Sequence, residues 1–231
     1  NGKFTVSAHT LYDIVRKLPD GSEVIMELKE SNLVVSCGKS EFMLPTLPFD
    51  DYPIMTEISG GKTFDMSSAD LQSLIDNTKF SISLEETRYY LNGIYLHQNK
   101  EKNNLFKAVA TDGHRLAQVE MNLPDGADGM PAIIIPRKTV GELRKLIEDT
   151  EGNIKIIVSS NKIKFEINNC SLTSKLIDGS FPDYQRVIPK GNTKSLVVST
   201  KEFKEAVDRV STISIEKSRA VKLSLSKNNL I

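Results

Sequence analysis

Thr111-Asp112-Gly113-His114-Arg115 is a run of side chains that could be read as a catalytic cluster. Asp and His are common general acid–base residues. Catalysis would also need a nucleophile or a metal beside them, and nothing in the sequence designates one. The plainer reading is a tight Asp-Gly turn between two strands, with His114 and Arg115 at its exit. The three histidines, His9, His97 and His114, show no HExxH or similar spacing, and neither a P-loop nor a GxGxxG occurs. Cys37 and Cys170 lie far apart and in no CxxC or Cys/His cluster, which leaves too few ligands for zinc and no disulfide framework. Both are expected to be buried thiols in a reducing, cytoplasmic setting. No intrinsic enzymatic activity, metal or cofactor is expected.

Composition narrows the class. Of the 231 residues, 39% are hydrophobic and 26% charged, the profile of a soluble globular protein. No apolar run approaches the ~20 residues needed to cross a bilayer, and Asn1-Gly2-Lys3-Phe4 does not begin a signal peptide. Thirty basic residues balance thirty acidic ones. That argues against holding nucleic acid by charge alone, though not against charges segregated onto two faces.

The elements that would position these residues recur. Ser7, a plausible N-cap, follows a short strand and precedes apolar residues at Leu11, Ile14, Val15 and Leu18, a helical spacing. Pro19-Asp20-Gly21 ends that helix, and strands over 24–28 and 33–36 follow. The same order returns at 132–136. There Pro136 starts a helix carrying Val140, Leu143 and Ile147, followed by strands over 154–158 and 163–167. Phe64-Asp65-Met66-Ser67 leads into Leu71, Leu74 and Ile75, and Leu196-Val197-Val198-Ser199 into Phe203, Val207 and Val210. The unit thus begins four times, near residues 4, 64, 132 and 196. A helix laid across an antiparallel sheet buries both apolar faces, so the expected class is α+β, with two units sharing one core.

Two stretches are more specific. Arg88-Tyr89-Tyr90-Leu91-Asn92-Gly93-Ile94 with Ala110-Thr111-Asp112-Gly113-His114-Arg115-Leu116-Ala117 is the first. The second runs from Thr173-Ser174-Lys175-Leu176-Ile177-Asp178-Gly179-Ser180-Phe181-Pro182-Asp183-Tyr184 to Arg186-Val187-Ile188-Pro189. Together they resemble the bacterial DNA sliding clamps, the β subunits of DNA polymerase III. The resemblance implies three similar domains per subunit and a head-to-tail homodimer ring around duplex DNA. It maps residues 1–58 to the second half of a first domain, 62–192 to a complete middle domain, and 195–231 to the beginning of a third. The chain would then be a fragment of a longer protein, and by itself a monomer.

The resemblance also assigns residues. Leu91, Thr111, Gly113, His114, Arg115, Leu116, Pro182, Arg186 and Val187 match a pocket for a short peptide. That peptide would come from the polymerase III α subunit, the clamp loader, other polymerases and repair proteins. Tyr89 and Tyr90, with Arg88 beside them, match a loop that touches DNA without reading its sequence. From the residues themselves, the helix that begins Arg137-Lys138 and ends in Arg144-Lys145 carries a basic face suited to phosphate contacts. Arg16-Lys17, and Lys201, Lys204 and Arg209, place basic residues on two further helices. His9 stands where a more basic residue is common in the family, and Leu84-Glu85 replaces a more polar, uncharged pair. A different class, a stand-alone peptide-recognition module without DNA function, is the competing expectation.

Overall fold

Ser7, Ser67 and Ser199 each accept a hydrogen bond from the amide three residues on, at 3.4, 3.0 and 3.4 Å, and each opens a helix. The hydroxyl satisfies one of the amides that the first turn leaves without a partner. The structure, a computed structural model, describes residues 3–53, 55–99, 105–213, 221–226 and 229–231. They fall into two units, Asn1–Phe181 and Pro182–Ile231.

In the first unit, α1 (Ala8–Val15) precedes an antiparallel sheet of β1 (Ile25–Lys29), β2 (Asn32–Cys37) and β3 (Ser40–Pro45). The helix is shorter than the apolar spacing suggests. Lys17 and Leu18 donate to Ile14 and Val15 three residues back, so the last turn tightens and leaves Leu18 outside α1. Residues 4–6, expected as a strand, make only an isolated bridge between Thr5 and Leu47. The core here is small: Leu33, Val35 and Leu44, with Leu11 and Ile14 packed against them.

The rest of the first unit contains β4 (Lys62–Ser67), α2 (Ser68–Asp76), β5 (Gly93–Gln98), β6 (Leu105–Thr111) and β7 (Leu116–Asn122). It continues through β8 (Ile133–Pro136), α3 (Arg137–Leu146), β9 (Asn153–Val158), β10 (Lys162–Ile167) and β11 (Cys170–Lys175). Two four-stranded antiparallel sheets result, ordered β11-β10-β9-β4 and β7-β6-β5-β8. The repeated units interlock. β4 of the earlier repeat pairs with β9 of the later one, Phe64 opposite Ile156, while β8 of the later repeat pairs with β5 of the earlier, Ile135 opposite Ile94. One core joins both sheets and both helices, with Phe106, Phe165, Ile75, Leu143 and Ile147 almost wholly enclosed. Each such side chain stabilises the fold by about 1.5–3 kcal/mol relative to exposure.

Tyr89 and Tyr90 lie in a 3-10 turn, Glu86–Leu91. Two expectations are corrected. Cys170 is exposed at the β10–β11 turn, whereas Cys37 is buried as expected. Residues 196–198 form no strand. In the second unit α4 (Thr200–Ser211) has no buried residue, and β12 (Leu225–Ser226) pairs with β13 (Asn229–Leu230).

Candidate functional site

β6 and β7 pair in register up to Thr111 opposite Leu116, so residues 112–115 form a four-residue hairpin loop rather than a two-residue Asp-Gly turn. Gly113 sits at φ +89°, the left-handed region in which a Cβ is strained. Asp112 organises the loop. Its Oδ1 accepts from the amides of His114 and Arg115 at 2.9 and 3.0 Å, and its Oδ2 from Arg115 Nε at 3.0 Å. Burial pushes the Asp112 carboxyl up, but these donors and the Arg115 charge outweigh it, so it ionises below the ordinary carboxylate range. The Thr111 hydroxyl donates to the Arg115 carbonyl at 2.7 Å and accepts from Gly113 N–H at 3.1 Å. Asp112 is therefore an anchor occupied by its own loop, and Thr111 is a buried brace. His114 and Arg115 are left exposed.

The 86–91 turn reaches the same loop. A Cβ on Gly113 would stand 2.8 Å from Arg88 Nη1, so the guanidinium lies against the glycine. Arg88 Nε is also 3.3 Å from Glu85 Oε2. Tyr89 and Tyr90 meet edge to face, centroids 5.8 Å apart, with Tyr89 53% exposed. Leu91 is only 4% exposed, so it can form the floor of a groove and not an open wall. Ser83 N–H donates to its carbonyl at 3.1 Å.

Two shallow grooves meet at this corner. One, of about 340 Å³, is bordered by Phe80, Leu84, Asp112, His114, Arg115 and Arg137. The other, of about 390 Å³, is bordered by Leu84, Tyr89, Asn92, Arg137, Lys138 and Ile177. Arg137 and Lys138 are exposed on the first turn of α3, and Arg137 N–H donates to the Asn92 carbonyl at 2.9 Å. A helix N-terminus bearing two cations favours phosphate. The far end of α3 differs. Arg144 Nε makes contacts of 3.1 and 3.0 Å to both oxygens of Asp76, and Lys145 pairs with Glu142 at 3.2 Å. Arg144 is thereby turned to holding α2 and α3 together.

Phe80 was not singled out in the sequence, yet it is 55% exposed and the Arg115 guanidinium lies 6.0 Å from its ring centre. The signal available was an aromatic set among polar residues just past the end of α2. Pro182, Arg186 and Val187 fall in the second unit. There Pro182 is exposed, Val187 is 69% exposed, Arg186 pairs with Asp183 at 2.7 Å, and Tyr184 is buried. Among the described residues, no group of three or more His, Cys, Asp or Glu side chains is arranged to hold a metal. No described helix is long and apolar enough to cross a membrane.

Known families match the chain end to end. The DNA polymerase III β-subunit descriptions fit in order: N-terminal domain over residues 1–56, central domain over 65–183, C-terminal domain over 185–231. The chain belongs to the DNA polymerase III β-subunit family. Within that β-subunit family it is 49% identical to the beta sliding clamp of Caulobacter vibrioides over 232 residues, covering 99% of this chain and 62% of the relative. It is 43% identical to that of Rickettsia bellii over 229 residues, covering 97% and 59%. A crystal structure of a β-subunit sliding clamp from Bartonella birtlesii bound to griselimycin superposes with a TM-score of 0.93 at 52% identity, covering 98% of this chain and 61% of that one. The chain thus spans about 62% of the length of these relatives.

Proposed function

We propose that this chain is part of a sliding clamp, a ring-shaped processivity factor that encircles duplex DNA and tethers the replicative polymerase. The observation that carries the reading is the ordered match to all three β-subunit domains. The corresponding division is 1–58, 62–192 and 195–231. The ring is a homodimer of the full-length protein, works in the cytoplasm and has no chemistry of its own. Topology holds it on DNA, so contacts with phosphate and sugar need only be weak and sequence-blind. Exposed Arg88, Tyr89, Arg137 and Lys138 suit that task, with Tyr90 behind Tyr89. A net charge of zero fits a basic lining offset by an acidic exterior.

The peptide site in this reading is the Gly113–Leu116 side of the hairpin loop, with the buried Leu91 and Thr111. Its occupants are short segments of the polymerase III α subunit, the clamp loader, other polymerases and repair proteins. A few anchors in a shallow groove give modest affinity, which suits partners that exchange. Two measurements on the full-length protein test the proposal. Once loaded, it should leave linear DNA far faster than circular DNA, and equal residence on both would overturn the ring. His114→Ala and Leu116→Ala should weaken binding of a clamp-binding peptide, and unchanged affinity would remove the pocket.

A further inference from the structure

Ile177-Asp178-Gly179-Ser180-Phe181 is a short strap tied down at both ends. Ile177 N–H donates to the Ile134 carbonyl of β8 at 3.0 Å. The Phe181 ring stacks on Tyr95 of β5, centroids 4.7 Å apart and planes within 5°. Between these ties the strap runs against the 86–91 turn. A Cβ on Gly179 would stand 3.1 Å from Tyr90 Cβ and 3.3 Å from Tyr89 Cε2. Carbon atoms normally settle about 3.5–4.0 Å apart. Gly179 is not among the glycines at positive φ, so space rather than backbone conformation is what favours glycine there.

We propose that Gly179 is the positioning residue for the Tyr89–Tyr90 pair. Lacking a side chain, it lets the fixed strap seat both residues from behind. That seat holds the exposed Tyr89 ring in the orientation in which it packs on a sugar or base of duplex DNA. The inference rests on the proposed DNA contact of this turn, and it adds a part of the chain to which that contact does not itself point. An added methyl would push the tyrosines outward by a few tenths of an ångström.

The test uses the full-length protein and a short fluorescent duplex, with affinity read by anisotropy at low salt. Gly179→Ala should weaken binding by roughly 3- to 10-fold, a part of the roughly 5- to 150-fold that complete loss of one aromatic–base contact costs. The Tyr89→Ala/Tyr90→Ala double variant should lose at least as much. Adding Gly179→Ala to that double variant should cost nothing more, a non-additivity that general destabilisation would not produce. Wild-type affinity in Gly179→Ala beside a loss in the double variant overturns the seat alone. A further drop in the triple variant overturns it as well. Wild-type affinity in the tyrosine double variant overturns the DNA-facing reading and this inference with it. If Gly179→Ala fails to fold, Phe181→Leu loosens the strap without adding an atom at Gly179 and is put through the same comparisons.

Discussion

Arg88 and Gly113 are in contact across two loops: the guanidinium Nη1 lies 2.8 Å from where a Cβ on the glycine would be. The turn proposed to face DNA and the loop proposed to receive peptides therefore share a surface. Glycine is needed there for φ +89°, and any side chain added would make the flexible Arg88 guanidinium swing aside. Gly113→Ala should destabilise the protein by about 1–2 kcal/mol and displace Arg88. Peptide affinity should fall together with the urea midpoint. A variant as stable as wild type with full peptide affinity would contradict both roles.

Asp112 gives the loop a defined response to acid. Its folded-state pKa is lowered, so its contribution to stability is fully present above the unfolded value of about 3.9 and is lost as pH falls through the lower folded value. Across neutral pH the loop should not respond through this residue. The Asp112 carboxyl carbon shift, followed by NMR, should titrate below about 3.9. Arg115→Ala should move that midpoint upward, because it removes one donor and the facing charge. A midpoint at or above the ordinary value in the wild-type protein would rule out the anchoring role.

Lys107 and Glu120 stand opposite one another on β6 and β7, 2.6 Å apart, with the lysine only 7% exposed. Gln118 Nε2 also donates to Glu120 Oε1 at 2.6 Å. Glu120→Leu would leave a buried ammonium without its counter-charge. The loss should be about 2–3 kcal/mol, moderated because the Glu120 side chain is itself 39% exposed. Pairing it with Lys107→Met should restore most of the stability, since an apolar pair needs no compensation. Chemical denaturation of the two variants checks this, and a single variant of wild-type stability would mean that Lys107 reaches water.

Much of the fold could be read from residue types alone. The serine caps of α2 and α4, Pro136 before α3 and the apolar periods of all three mark the helices, because these signals are local. β3 and β11 were passed over as strands because SEFMLP and CSLTSK show no clean apolar face. Tyr89-Tyr90 carries strand-forming aromatics, yet it is folded into a 3-10 turn packed against Gly179. The hairpin loop was legible from Asp112-Gly113. The seat under the tyrosines, the contact of Arg88 with Gly113, and the diversion of Arg144 to Asp76 were not. Each depends on residues brought together from distant parts of the chain, with no periodic trace in the sequence.

The exchange of strands between the repeats has a consequence for synthesis. β4 ends at Ser67, and its partner β9 begins only at Asn153. At about 5–20 residues per second on the ribosome, β4 emerges roughly 4–17 s before the strand that covers it. During that interval Phe64 and Met66 have only part of their core, and the earlier repeat cannot close on its own. The nascent chain therefore gains no completed intermediate at the repeat boundary. Folding of this region waits on long-range pairing, which makes it slow and leaves a sticky strand for chaperones to shield.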